Sequence, residues 1–214
     1  MILQIRATSG GGKTTLARYL FLLADCKPFE VQKTARGEKV LLNKGRWRGY
    51  PFYVVGPYDN NGTGGCDRIS KVEDVIALVD KVARPSHSAS GDHKAIVCFE
   101  GLLLAHSWGA MGEHVHEHFG DRYINGFIGT TMEQCYANVL KRRARAGADN
   151  TDKERIAKIR KNVEADYHRV DLAHARVTAR GGRLIDIPYE DSTAFTEKYI
   201  NDWIDVQDIL YGAP

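Results

Sequence analysis

The stretch that most constrains this chain is Ala7-Thr-Ser-Gly-Gly-Gly-Lys-Thr-Thr15. It follows a short apolar run, Ile2-Leu3-Gln4-Ile5, and leads into Leu16-Ala17-Arg18-Tyr19-Leu20, which reads as a helix. Strand, glycine turn and helix in that order make a phosphate-binding loop. Gly10, Gly11 and Gly12, entered from Ser9, let the backbone curl so that successive N–H groups point at one phosphate chain. The helix starting near Lys13 adds the positive end of its dipole. Lys13 reaches the outer two phosphates, the Thr14 hydroxyl is placed to hold Mg²⁺, and Thr15 completes the loop. The opening residue is Ala7 where the strictest pattern has glycine. A glycine-rich turn without nucleotide is the weaker alternative, because Lys13-Thr14 stands in register between flanks of the right type. ATP and Mg²⁺ are the expected cofactors.

The length of 214 residues suits one α/β domain. No apolar run approaches the roughly 20 residues of a membrane span, and the N-terminus enters a strand directly, so neither membrane nor signal peptide is expected. Cys26, Cys66, Cys98 and Cys135 lack metal-like spacing and read as reduced thiols of a cytoplasmic protein. A net charge of +3 announces no polyanionic partner by itself. Locally, Lys33, Arg36, Lys39, Lys44, Arg46 and Arg48 face only Glu38, with Trp47 and Tyr50 interleaved.

Phe29–Val31 reads as a second strand. Glu38–Val55 reads as a β-hairpin with Val40, Leu42, Phe52 and Val54 alternating, a turn at Asn43-Lys44-Gly45, and an edge position marked by Pro51. Ser70 and Glu73 form a capping box for a helix with Val72, Val75, Ile76, Val79 and Val82 on one face. Lys94–Phe99 is nearly all apolar, as a central parallel strand covered on both faces would be. A helix over Met111–Phe119 and a strand over Tyr123–Ile128 follow. Thr131 and Gln134 cap the next helix, Thr151 and Glu154 a long one with Ile156, Ile159, Val163, Val170 and Val177 at helical spacing. Leu184–Ile187 is the last strand, and a closing helix turns Phe195, Tyr199, Trp203 and Leu210 inward. The alternation of strand and helix predicts an α/β fold with a parallel sheet wrapped by helices.

In this order of elements the chain resembles the P-loop kinases, the group of nucleotide, nucleoside and small-metabolite kinases. The resemblance implies a three-layer P-loop fold over residues 1–214, a hairpin and loop at 33–68 that bind substrate, and a short arginine-rich lid at 141–151. Phe99-Glu100-Gly101 is similar to the strand end of uridine-kinase-like enzymes. A carboxylate there sits beside the phosphates and can order a water on Mg²⁺ or accept the acceptor's proton. Thr130 to Gly147 resembles a lid region, which implies that Arg142 and Arg143 clamp the transferring phosphoryl group and Arg145 contacts nucleotide. Basic residues also favour helix C-termini for their own sake. A motor or switch ATPase is the competing class, disfavoured by the compact length.

Tyr58-Asp59-Asn60 and Gly64-Gly65-Cys66-Asp67 offer aromatic, amide and carboxylate groups to a hydroxylated base or sugar, with Asp67 a second candidate base. This loop, with the Phe-Glu-Gly strand end and the arginine helix, also resembles the bacteriophage kinases that phosphorylate 5-hydroxymethyluracil within DNA, relatives of thymidylate kinases. The chain lacks the acidic residue that thymidylate kinases carry in the glycine loop. The resemblance implies DNA as acceptor and action in the host cytoplasm. A polymer needs a basic track and an aromatic surface, which Arg46, Trp47 and Arg48 offer; an edge hairpin protected by charge explains the same residues equally well. A kinase of free nucleosides or nucleotides is the runner-up, and monomer and homodimer both stay open. His114 and His118 stand one helical turn apart with no third ligand set, so a solvated helix face outweighs a zinc site.

Overall fold

The computed structural model describes residues 1–34, 37–58, 64–69, 71–84, 95–106 and 109–212. In chain order the strands are β1 (Ile2–Arg6), β2 (Lys27–Thr34), β3 (Gly37–Trp47), β4 (Tyr50–Val55), β5 (Ile96–Glu100), β6 (Tyr123–Gly129) and β7 (Arg183–Pro188). The helices are α1 (Lys13–Leu23), α2 (Val72–Ala83), α3 (Leu102–Ala105), α4 (Gly109–Phe119), α5 (Met132–Arg145), α6 (Lys153–Ala179) and α7 (Ser192–Tyr211). Among the described residues the strands form one seven-stranded sheet in the order β2-β3-β4-β5-β1-β6-β7. β4, β5, β1, β6 and β7 run parallel, while β2, β3 and β4 form an antiparallel meander.

β1 and β5 are buried along their whole length, which is why both read as nearly continuous apolar runs. One face is covered by α1 and α7 through Leu16, Leu20, Ile200 and Ile204. The other is covered by α2, α4 and α6 through Val75, Val79, Val115, Val170 and Val177. β1 lies between β5 and β6, where the chain changes direction across the sheet. Ligands of open α/β sheets settle at such a switch point, beyond the carboxyl ends of the strands. No helix among the described residues is long and apolar enough to cross a membrane.

Several local expectations need correction. β3 runs straight through Asn43-Lys44-Gly45, and the hairpin turns at Arg48-Gly49 instead, with Trp47 opposite Tyr50. Both turn residues have positive φ, 49° and 87°, as a two-residue hairpin with the twist of its strands requires. Gly45 serves close approach: a Cβ there would lie 2.0 Å from Ala24 O, to which the Arg46 N–H donates. Asn43 is buried, and its amide donates to Val54 O and Gly56 O. Pro51 does not mark an edge, since β4 pairs on both sides; pairing with β5 starts only at Phe52, so the proline stands in the overhang. The edge strand of the meander is β2, at eight residues longer than the three expected.

The Thr131–Gln134 capping box is present. The cap of α6 is Asp152, not Thr151: its carboxylate accepts from the Glu154 and Arg155 N–H groups, while Thr151 donates to Asp149. Ser70 lies outside the described residues, and α2 starts after Lys71 with no side-chain cap. Leu210 is exposed, because the last turn of α7 runs past the sheet it covers.

Candidate active site

The glycine loop leaves β1 at its carboxyl end and feeds α1. Gly10 and Gly12 take φ of 86° and 89°. A Cβ on Gly10 would lie 2.3 Å from Cys135 O, and one on Gly11 2.7 Å from the Ala7 Cβ, so the loop is pressed between α5 and β1. Gly12 caps α1 with no side-chain bond. The first N–H groups of α1 therefore lack the side-chain oxygen that usually satisfies them, and an anion suits that place.

Lys13 is buried rather than solvent-facing, and its ammonium donates to Ala7 O at 2.6 Å and Thr8 O at 3.1 Å. Burial holds its pKa below the ordinary lysine value, against the opposing pull of Glu100 and Asp67. Thr14 Oγ1 donates to Glu100 Oε1 at 3.0 Å, joining the first turn of α1 to the end of β5. Ser9 is half-buried and Thr15 is exposed.

Glu100 is almost wholly buried. Burial pushes its carboxyl up to about 7, against the pull of Lys13 and the hydrogen bond from Thr14. The Tyr58 hydroxyl approaches the same oxygen at 3.5 Å from a buried position, so Tyr58 shores up the carboxylate rather than offering a face to solvent. Asp67 comes to the site but is occupied: its two oxygens accept from the Leu102 N–H at 2.7 and 2.9 Å. Asp59 and Asn60 lie outside the described residues.

From α5, Arg142 Nη2 donates to Ser9 Oγ at 3.5 Å, which brings α5 onto the glycine loop. Arg143 is half-buried, with Nε and Nη2 buried and lacking a hydrogen-bond partner among the described residues, and Arg145 is exposed at the end of α5. Residues unremarked in the sequence join here. Asn138 donates to Gly10 O at 3.0 Å and to the Tyr189 hydroxyl at 2.8 Å, and the Tyr189 ring faces Gly12. Their only signal was position, Asn138 on α5 and Tyr189 just past the last strand.

Arg46, Trp47 and Arg48 are not brought to this site. β3 runs antiparallel to β4, so the turn after Trp47 lies at the amino end of β4, opposite the glycine loop. Trp47 is 6% exposed and its indole N–H donates to Asn201 of α7. Arg48 pairs with Asp205, and the Tyr50 hydroxyl bonds Asp208. These residues fasten the meander to α7. Trp47→Ala should therefore cost about 3–5 kcal/mol of stability, read by urea unfolding, and leave the salt dependence of any DNA binding unchanged. A flattened salt dependence with intact stability would return this strip to DNA contact.

His114 faces Asp80 of α2, with its Nε2 3.0 Å from the carboxylate, and stacks on His118. Among the described residues no group of three or more His, Cys, Asp or Glu is gathered as metal ligands.

No family model matches the chain. It is similar to a protein named 5-hmdU DNA kinase from Pseudomonas phage PaMx11, at 30% identity over 193 residues covering 86% of this chain and 89% of that one.

Proposed function

The chain belongs to the 5-hmdU DNA kinase family and is a phosphotransferase, and from that premise we propose that it moves the γ-phosphate of ATP to the hydroxymethyl oxygen of 5-hydroxymethyluracil in DNA. The observation that carries the kinase chemistry is the join between an uncapped glycine loop and the Thr14–Glu100 pair at the end of β5. The loop is read as a P-loop on a three-layer kinase fold, with the nucleotide phosphates on the first N–H groups of α1. Lys13 lies ready to exchange its carbonyl partners for phosphate oxygens. Arg142, already at Ser9, comes down on the transferring group, with Arg143 and Arg145 behind it.

The residues present fit Mg²⁺. Thr14 and Glu100 offer hard oxygen atoms in mutual contact, and a buried carboxyl raised to about 7 would give up its proton to a neighbouring dication. When bound, the ion would neutralise charge developing between the phosphates. Such sites take one or two protein ligands plus phosphates and water, so no larger ligand cluster is needed.

The DNA acceptor rests on the relative, since the basic strip around Trp47 faces away from the site. The target base would leave the stack before its hydroxyl reached the phosphate. The protein would act in the host cytoplasm, where Cys26, Cys66, Cys98 and Cys135, all buried free thiols, stay reduced. Labelled-phosphate transfer to a 5-hydroxymethyluracil oligonucleotide and to the corresponding monophosphate, each over a range of salt, tests the reading. The oligonucleotide should be preferred, and its affinity should fall about tenfold between roughly 50 and 200 mM salt if two backbone phosphates are held. Preference for the monophosphate would end the DNA reading and leave a nucleotide kinase.

A further inference from the structure

A polymeric acceptor needs a cationic surface for its backbone, and the strip around Trp47 lies at the wrong end of the sheet to supply one. Between Lys141 and Lys161 the chain carries nine Lys and Arg against Asp149, Asp152 and Glu154. That surplus of six exceeds the net charge of the whole chain, +3. Two of the three acids are engaged by the backbone. Asp149, the acid near Arg155, accepts from the Thr151 N–H and hydroxyl, both at 2.8 Å, and Asp152 caps α6.

Helix electrostatics accounts for only part of this charge. Arg142, Arg143 and Arg145 end α5, where cations suit the dipole. Lys153 and Arg155 open α6, where the dipole is positive and a cation is disfavoured. Both are exposed, as is Lys158 one turn on. Along α6, Arg160 pairs with Glu133 and Arg169 with Asp166, whereas Arg155 and Lys158 have no ion pair among the described residues.

α6 changes partner along its length. Val170, Ala173 and Val177 pack on the sheet, and the Tyr167 hydroxyl donates to Thr130 O, just past the carboxyl end of β6. Before Tyr167, Val163 and Ile159 pack instead on Cys135, Tyr136 and Val139 of α5. Lys153 to Asp166 thus form, with α5, an arm at the carboxyl edge of the sheet, about 20 Å long at helical rise.

The flanks of the arm differ. Arg160 reaches Glu133 and lies over the Tyr136 ring, so that flank closes on α5. Arg155, Lys158, Asn162, Asp166 and Arg169 recur at helical spacing on another. There Asp166 faces His106 at the end of α3, which β1 holds through Arg6 bonds to Leu104 O and Ala105 O. Asp166 also stands near enough to Lys13 to act on its charge. The stripe therefore starts beside the glycine loop and climbs the arm to two exposed cations.

Resting on the DNA kinase reading above, we propose that this flank of α6 is the track for the DNA backbone. Arg155 and Lys158 take phosphates, and Asn162 adds an amide donor below them. From Arg155 to Asn162 the helix rises about 10 Å, the axial length of about three phosphates of one strand. A free nucleotide has no phosphate that far from the transferring group, so the track serves a polymer.

The test is the affinity for a 5-hydroxymethyluracil oligonucleotide, read by fluorescence anisotropy between roughly 50 and 200 mM salt. Arg155→Gln with Lys158→Gln should weaken binding about tenfold at roughly 100 mM salt and lower the logarithmic salt slope by about two. Lys153→Gln with Arg160→Gln removes equal charge from the same helix, on the flank that closes on α5. That pair should stay within about threefold, with its slope unchanged. Nucleotide affinity should hold within about threefold in both, because the track does not touch ATP. Equal effects from the two pairs, an unmoved slope in Arg155→Gln with Lys158→Gln, or a loss of ATP affinity in its place overturns the track and leaves the DNA kinase standing. An unsubstituted protein that transfers no phosphate to the oligonucleotide overturns both.

Discussion

Replacing Lys13 by alanine should lower phosphoryl transfer by about two to three orders of magnitude, the scale of losing one preorganised charge from a water-excluded site. The ammonium is buried and, among the described residues, is held by the Ala7 and Thr8 carbonyls. It is thus a desolvated cation with no ion-pair partner among the described residues, and burial holds its pKa below the ordinary lysine value. A phosphate chain would supply the missing counter-charge, and the benefit should grow as charge develops in the transition state. The fold should survive, because what the side chain gives up is two hydrogen bonds at the surface end of β1 while a buried charge is relieved. Single-turnover transfer and thermal melting, measured side by side, check both halves. Near-normal transfer by a folded Lys13→Ala protein would remove the glycine loop from the chemistry.

Gly65→Ala should be nearly as damaging, by a different route. Gly65 takes φ 81° and ψ −168°, a region closed to residues with a Cβ. A Cβ there would also lie 2.2 Å from Glu100 Oε1 and 2.9 Å from Glu100 O. The substitution must displace the carboxylate, the loop, or both. A stability loss of about 2–4 kcal/mol and a drop in transfer of about a hundredfold or more are expected, from denaturant unfolding and the oligonucleotide assay. Gly181→Ala is the control: its φ of 67° is also positive, but a Cβ there meets nothing within 4 Å. It should cost about 1 kcal/mol and leave transfer unchanged. Equal activity of Gly65→Ala and Gly181→Ala would mean that the position of Glu100 does not matter.

The sequence by itself determined whatever rests on neighbours along the chain. The glycine loop, the Lys13-Thr14 pair, the strand ending in Glu100 and the Thr131 capping box were all legible, since each depends on residues within about one turn or strand of one another. The alternation that predicted helices on both faces of a parallel sheet is of the same kind.

What only the tertiary structure decided is which end of a strand faces the site and what lies across from it. Asn43-Lys44-Gly45 carries the stronger local turn signal, yet Arg48-Gly49 makes the turn, because Gly45 is required where β3 meets the end of α1 at Ala24. The basic run from Lys33 to Arg48 is continuous in sequence, but the antiparallel course of β3 carries Arg46 and Arg48 to the far end of the sheet. Eleven residues of β3 span about 35 Å at strand rise, so a cluster in sequence becomes a separation in space. Trp47 turned inward for a matching reason: α7, contributed from the other end of the chain, covers that face with Asn201. Asp67, a candidate base in the sequence, also clasps α3, since the Leu102 N–H lies within its reach. His106 and Asp166 meet across 60 positions of sequence, where no spacing rule operates. Their meeting depends on where β1 anchors α3 and how α6 packs on the sheet, and long-range packing alone fixes both.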